Sequence, residues 1–160
     1  LIQSPNSFLT RKVKPFDFNE LDAKQISGEM CQIMMAKNGL GLAANQVGIK
    51  ARMFVMGHSG NPELAQAFFN PMVVKTVDDV EDLEEGCLSF PGIYVNIKRP
   101  KKILARWQNA NGEWQESEFD GYNCKCFLHE LDHLEGIVFK DRVSSLKWAL
   151  AVKKSNKRKY

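Results

Sequence analysis

Two histidines four residues apart, His129 and His133, constrain this chain more than any other feature. On an α-helix, residues four apart lie on one face, so both imidazoles can bind one metal ion beside the carboxylate of Glu130. The segment reads as a helix from about 123 to 135 with Asn123 as its N-cap. Its neighbouring positions are apolar, and imidazoles buried among them need polar partners. The alternative, two solvated surface histidines, fits this setting less well.

Helical and strand-like segments follow one another along the rest of the chain. Apolar residues at helical spacing predict a first helix from about 18 to 37. Strands are predicted at 52–56, 67–70, 72–77, 101–108 and 113–119, the last two flanking an Asn-Ala-Asn-Gly turn. An extended piece at 137–139 precedes a short final helix from Ser144 or Ser145 through Trp148. This order predicts an α+β fold with an antiparallel sheet region in its middle.

Size and charge set further limits. A chain of 160 residues suits one domain, 1–160, with its own core. The net charge of +3 is uneven, because residues 153–160 contain five of the 22 basic residues and leave 17 against 19 acidic residues elsewhere. We expect this basic tail to be frayed and solvated.

The apolar segments are short. None approaches the ~20 residues that a membrane span requires, and residues 1–14 lack the continuous apolar core of a secretion signal. We therefore expect a cytoplasmic protein that does not contact membranes. The four cysteines, Cys31, Cys87, Cys124 and Cys126, then read as reduced thiols, which can bind metal.

The histidine pair needs a third protein ligand, since a catalytic zinc or iron site takes three and leaves a position for water. No His, Cys, Asp or Glu follows Asp141, and Glu135 points to another side of the helix. Cys126 would lie ~7.5 Å along the helix from the ion, beyond the reach of a Zn–S bond of ~2.3 Å. Cys87 remains. By itself it reads as a cysteine packed at a strand end, but the incomplete histidine pair favours ligation.

Three segments together resemble the motifs of the peptide deformylase family, in the same order. They are Gly39-Leu40-Gly41-Leu42-Ala43-Ala44-Asn45-Gln46, Glu85-Gly86-Cys87-Leu88-Ser89 and His129-Glu130-Leu131-Asp132-His133. The likeness extends over nearly the whole chain. It implies an α+β fold wrapped around the helix of the histidine pair, and an enzyme that hydrolyses linear N-formyl amides.

The resemblance also implies a site. Cys87, His129 and His133 would hold one divalent metal ion, Fe(II) by preference, with Zn(II), Ni(II) or Co(II) as substitutes. Glu130 would take a proton from the attacking water and return it to the leaving amine. The backbone N–H of Leu88 and the side-chain amide of Gln46 would stabilise the oxyanion. The products are formate and a peptide with a free amino terminus.

Substrate contacts follow from the same likeness. Gly41 would let an extended N-formyl-methionyl peptide lie alongside the main chain. Leu40, Leu42 and Cys126 would form the pocket for the methionine side chain. We further expect Glu85 to pair with Arg99, and Asp132 to orient a metal ligand from behind.

Two other functions remain open. A zincin-like metalloendopeptidase would share the histidine pair but not the need for Cys87, and a noncatalytic metal-stabilised binding module would bind metal without turnover. The basic tail would contact the ribosome near the emerging chain. We expect no specific DNA binding.

Overall fold

The computed structural model describes residues 1–58, 61–77 and 79–157, and of Pro62 the backbone alone. Within these ranges it has three α-helices, seven strands and three short 3-10 helices. The helices are α1 (Ala23–Ala36), α2 (Gly121–Leu134) and α3 (Ser145–Lys157), and the 3-10 helices are Ser7–Thr10, Ala44–Val47 and Phe139–Arg142. The strands are β1 (Gly41–Ala43), β2 (Met53–His58), β3 (Asn61–Thr76), β4 (Val80–Cys87), β5 (Phe90–Pro100), β6 (Lys102–Gln108) and β7 (Trp114–Asp120).

The strands form two antiparallel sheets. The larger has the order β1-β2-β3-β6-β7, and the smaller is the β4-β5 hairpin. Helix α2 packs against strands of both sheets, α1 packs on β2 and β3, and α3 packs on β5. The predicted α+β class, with antiparallel sheets packed around the helix of the histidine pair, is confirmed. No helix in the described ranges has the length and apolar character needed to span a membrane.

A cluster of aromatic rings fixes α2 against the large sheet. Phe127 is fully buried, and its ring centroid lies 5.1 Å from that of Phe54, 5.5 Å from Phe68 and 5.2 Å from Phe119. Removing such a ring typically costs about 3–5 kcal/mol. His129 and Glu130 follow Phe127 on the same helix, so this packing also sets their position.

Several helix and strand boundaries differ from those predicted. Helix α1 begins at Ala23 because the side chain of Asp22 accepts a hydrogen bond from the Gln25 amide at 2.9 Å. The predicted strands 67–70 and 72–77 are parts of the single strand β3, with register shifts near Pro71. The prediction that Asn123 is the N-cap of α2 is wrong, because the helix begins at Gly121.

The end of the chain is more regular than predicted. Residues 139–142 form a 3-10 helix, so the extended segment predicted at 137–139 ends at Val138. Helix α3 continues from Ser145 to Lys157, so residues 153–157 of the expected frayed tail are helical. Basic residues in a last helical turn interact favourably with the helix dipole. The remaining residues, 158–160, lie outside the described ranges.

Candidate active site

Three potential metal ligands come together from two elements. His129 and His133 project from α2 with ring centroids 5.0 Å apart. Cys87 ends β4, where a register shift breaks the pairing with β5. Its Sγ lies 3.3 Å from Nε2 of His133, and one donor atom from each of the three residues lies within 4.8 Å of the others. The two segments are 42 to 46 residues apart in sequence, so only the fold brings them together.

The donor set fits a divalent transition metal. A metal ion bound to nitrogen at ~2.1 Å and to sulfur at ~2.3 Å, with a bond angle near tetrahedral, holds the nitrogen and the sulfur roughly 3.5 Å apart. Burial and the nearby charges of His129 and Arg99 hold the pKa of His133 well below its usual value, which favours the neutral imidazole that binds metals. Burial lowers the pKa of His129, but contacts with Cys87 and Glu85 outweigh it and raise the pKa. A cation between these groups would replace that proton.

The Glu85 carboxylate orients His129. Its Oε2 lies 2.8 Å from Nδ1 of His129. Burial would raise the pKa of Glu85, but hydrogen bonds from Arg99 and His129 lower it to about 2. An ionised carboxylate only accepts hydrogen bonds, so Nδ1 carries the proton and Nε2 is left to bind an ion.

Buried ion pairs hold Glu85 in turn. Arg99 donates to Glu85 from Nε at 2.7 Å and from Nη2 at 3.0 Å, as the predicted pair requires. Its Nη1 donates to Asp132 Oδ2 at 2.7 Å, and Arg142 also donates to Asp132. Asp132 therefore acts on His129 indirectly, through Arg99 and Glu85. The role of Arg142 was not expected from the sequence.

Glu130 is a buried carboxylate at the bottom of the site. Burial raises its pKa to about 7, against the charges of His129 and Arg99, which lower it. Its Oε2 has no hydrogen-bond partner among the described residues. Gly41 lies directly against this carboxylate, and a Cβ at Gly41 would overlap it. A carboxyl group with this pKa can gain and lose a proton near neutral pH.

Gln46 lies beside the sulfur of Cys87. Its Oε1 accepts from the backbone N–H of Ala43 at 2.9 Å, which fixes the amide. Its Nε2 donates to Ser89 Oγ at 3.0 Å and to Cys87 Sγ at 3.6 Å. Leu88 follows Cys87 directly, so its backbone N–H belongs to the same turn. The structure therefore groups both expected oxyanion donors around the cysteine, and adds Ser89, which sequence reasoning missed.

Residues 2–4 tie this group together. The backbone N–H of Ile2 donates to Gln46 O at 2.7 Å, and that of Ser4 donates to Ser89 O at 2.9 Å. Between them, Nε2 of Gln3 donates to Leu88 O at 3.1 Å. The segment bridges the two loops that carry Gln46 and Leu88. Its partners are more than 40 residues away, so no local sequence pattern indicates these contacts.

A cavity of about 830 Å³ opens onto these groups. Leu40, Gly41 and Cys126 line it, as expected. Cys126 donates from Sγ to Leu40 O at 3.4 Å. The prediction for Leu42 is wrong: its side chain is fully buried with Phe69 on the α1 side of β1. Successive residues of a strand face opposite sides, and Gly41 faces Glu130.

The downstream carboxylate that a zincin-like site would need lies elsewhere. Oε1 and Oε2 of Glu135 pair with Arg52 at 2.5 Å and Lys12 at 2.6 Å. These contacts hold the side chain away from the donor atoms of Cys87, His129 and His133, which form the metal-ligand group found among the described residues.

Comparisons with known proteins agree with this geometry. A family model described as "Polypeptide deformylase" matches residues 1–149. A peptide deformylase of Thermotoga maritima is 41% identical over 146 residues, which cover 91% of this chain and 87% of that protein. A peptide deformylase of Agrobacterium fabrum is 34% identical over 159 residues, 98% of this chain and 94% of that protein.

Solved structures give the same result. The crystal structure of the Thermotoga maritima peptide deformylase superposes with a TM-score of 0.82 at 39% identity, covering 89% of this chain and 95% of that one. A Synechococcus elongatus peptide deformylase in complex with actinonin superposes with a TM-score of 0.89 at 32% identity, covering 98% and 85%.

Proposed function

Because this chain belongs to the polypeptide deformylase family, and so is a metal-dependent hydrolase that removes the formyl group from N-terminal formylmethionine, we propose that Cys87, His129 and His133 are its metal ligands. The observation that carries the proposal is the convergence of their three donor atoms within 4.8 Å. Two features of the histidines support it: Glu85 fixes the His129 tautomer, and burial keeps His133 neutral.

We propose Fe(II) as the resident ion, with Zn(II), Ni(II) and Co(II) as substitutes. Two neutral imidazoles and one thiolate suit any of these ions. Such an ion, when bound, polarises the formyl oxygen and lowers the pKa of a water molecule. Elemental analysis of protein purified without oxygen distinguishes the candidates.

Glu130 is the proposed general base and acid. Its unpartnered Oε2 accepts the proton of the attacking water, and the same carboxyl returns it to the nitrogen of the departing amine. A pKa near 7 suits both steps, because the group can gain and lose a proton close to neutral pH. The buried setting also limits exchange of that proton with solvent.

Gln46 and Leu88 are the proposed donors to the oxyanion. The amide of Gln46 is held by Ala43 and Ser89, and its bond to the Cys87 sulfur is long at 3.6 Å. This weak bond can be exchanged for a stronger one to a developing negative charge. The backbone N–H of Leu88 supplies a second donor from the same turn. One such donor typically contributes about 2.7–4 kcal/mol to transition-state stabilisation.

The substrate would lie along the chain at Gly39–Gly41. Gly41 has no side chain and lies directly against Glu130, and β1 is the edge strand of the large sheet, so an extended peptide that adds a strand at β1 would lie beside this carboxylate. Leu40 and Cys126 then offer the apolar wall for the methionine side chain.

We also propose that the protein acts in the cytoplasm, where formylated nascent peptides are made, and that the basic end of α3 contacts the ribosome. Exposed Lys153, Lys154 and Lys157 on the last turns of α3 support this contact. Replacing all three by Gln should abolish co-sedimentation with ribosomes at low salt, because phosphate contacts depend on basic charge. Unchanged co-sedimentation of this variant would contradict the proposed ribosome contact.

The test of the chemistry is formate release from a formyl-Met-Ala-Ser peptide by Fe(II)-loaded protein under anaerobic conditions. Wild type should turn over, and Glu130→Gln should bind metal but lose turnover. An active Glu130→Gln variant would refute the assigned role of this carboxylate.

A further inference from the structure

The open wall of the active-site cavity is positively charged. Two carboxylates line the cavity, Glu85 and Glu130, and each is only 3% exposed. Glu85 is bound to Arg99 and His129, and Glu130 lies at the bottom of the site. His129, Cys87, Cys126 and the tyrosines also line the cavity. Among the described residues, the remaining ionisable side chains that line it are Lys37 and Lys125. The accessible charge is therefore cationic.

Neither lysine is neutralised within the described part of the chain. Nζ of Lys125 donates to the backbone carbonyl of Glu84 at 3.0 Å and lies 4.3 Å from the centroid of the Tyr122 ring. Both contacts favour an ammonium group without cancelling its charge, and they act against burial, which lowers the pKa of Lys125. Lys37 is exposed at the end of α1, and neither residue forms an ion pair with a described carboxylate.

This positive wall is a local feature. Outside residues 153–160 the chain has 17 basic and 19 acidic residues, so the surface as a whole does not favour anions. On the exposed wall of the cavity, by contrast, the charged side chains of the described residues are the two lysines. Clefts lined by one sign of charge concentrate ligands of the opposite sign.

The two lysines flank the expected course of the substrate after its first residue. Lys37 lies just before Gly39 on the segment that the peptide would follow, and Lys125 lies one helical turn before His129 on α2. One turn of helix is ~5.4 Å, which an extended peptide covers in roughly two residues. With the formyl group at the metal ligands, the side chains near these lysines belong to the second and third residues.

Resting on the function proposed above, we propose that Lys37 and Lys125 make this enzyme select formylmethionyl peptides with acidic side chains at the second and third positions. The selected class is thus acidic amino-terminal sequences. Lys37 and Lys125 are specificity-determining residues, and the chemistry at the metal ligands is unchanged.

The test compares C-terminally amidated formyl-Met-Glu-Glu-Ala, formyl-Met-Ala-Ala-Ala and formyl-Met-Lys-Lys-Ala on the metal-loaded enzyme. At low salt, kcat/KM for the acidic peptide should exceed that for the basic one about tenfold or more, given an attraction of ~1 kcal/mol per charge pair at 4 Å in water. The ratio should fall toward one in about 0.5 M salt, where charges are screened beyond a few ångströms.

Matched variants assign the cause. Lys125→Met and Lys37→Met should each reduce the acidic-to-basic ratio roughly threefold to fivefold. Lys50→Met is the control: Lys50 also lies near an aromatic ring, 5.5 Å from the centroid of Phe8, but does not line the cavity. Its ratio should equal that of wild type. Comparing ratios within one variant removes any general loss of activity.

Each outcome is decisive. A wild-type acidic-to-basic ratio near one, or a ratio that neither cavity variant changes, overturns the inference. In that case, turnover of the alanine peptide still supports the proposed function. If no peptide is turned over by metal-loaded protein, the proposed function fails. Calorimetry with the unformylated product peptides then tests the preference without turnover. Tighter binding of the acidic product, weakened in Lys125→Met, supports the proposed selectivity. Equal affinities overturn the proposed selectivity.

Discussion

Glu85 Oε2 lies 2.8 Å from Nδ1 of His129, and this contact links the proposed metal ligands to the buried ion pairs behind them. Arg99 holds Glu85, and Asp132 holds Arg99, so His129 is oriented by residues from β4, β5 and α2 at once. The same contact fixes which imidazole nitrogen faces the ion. The arrangement leads to the first prediction.

Glu85→Gln should weaken metal binding about 10-fold to 100-fold, because a neutral amide can present either donor or acceptor to Nδ1 and leaves Arg99 partly unpaired. Competition with a chelator, followed by metal analysis, measures the change. Glu84→Gln, at an exposed neighbouring position, is the control and should bind metal like wild type. Equal affinities for Glu85→Gln and wild type would show that this contact does not orient the ligand.

Glu130→Gln should stabilise the metal-free protein by an amount that grows with pH. Burial raises the folded pKa of Glu130 to about 7 from an ordinary value of 4.5. Between these values the folded state binds more protons than the unfolded state, so the free energy of unfolding falls as pH rises. The variant lacks this titration, and its advantage should increase by about 2–3 kcal/mol between pH 4 and pH 8.

Urea unfolding of chelator-treated wild type and Glu130→Gln at several pH values measures this difference. A stability difference that stays constant or shrinks as pH rises would contradict the account of Glu130 as a buried carboxyl with a raised pKa.

Gln46→Glu should retain metal but lower kcat about 100-fold to 1,000-fold, since it keeps the acceptor for the Ala43 N–H while removing the donor to the oxyanion. Single-turnover formate release separates this effect from substrate binding. Metal analysis of the same sample is the control. A variant with wild-type kcat would exclude the Gln46 amide from the reaction.

Gln3→Ala should lower kcat about threefold to tenfold with little change in KM, because one net hydrogen bond of about 0.5–1.5 kcal/mol to the Leu88 turn is lost. Gln3→Lys keeps a donor and should restore part of the rate. Gln25→Ala removes an exposed glutamine that bonds to Glu29 on α1, far from the cavity, and serves as the matched control. If Gln3→Ala raised KM alone, the positioning role would be wrong.

The histidine pair and the helix that carries it could be predicted from the sequence, because helical spacing alone puts both rings on one face. The proposed third ligand, Cys87, was harder to predict. Strand β4 contains four acidic residues and has little strand propensity, so no strand was predicted there. Its pairing with β5 brings Glu85 to Arg99, and this buried ion pair joins the two strands.

Other features depend on contacts that no local pattern records. Leu42 was expected in the substrate pocket, but the direction of a strand residue depends on the register of β1 with β2, which local sequence does not reveal. Ser89 and Gln3 act through bonds to Gln46 and Leu88 that join distant segments. The candidate site residues could therefore be named from the sequence, but the contacts that support them could not.

The most direct test of the account is X-ray absorption spectroscopy of the Fe(II)-loaded protein, with Cys87→Ala as comparison. The account predicts one sulfur at about 2.3 Å and two imidazole nitrogens at about 2.1 Å around the metal, with the sulfur lost in the variant. A wild-type spectrum that fits without sulfur, or the same sulfur in Cys87→Ala, would contradict it.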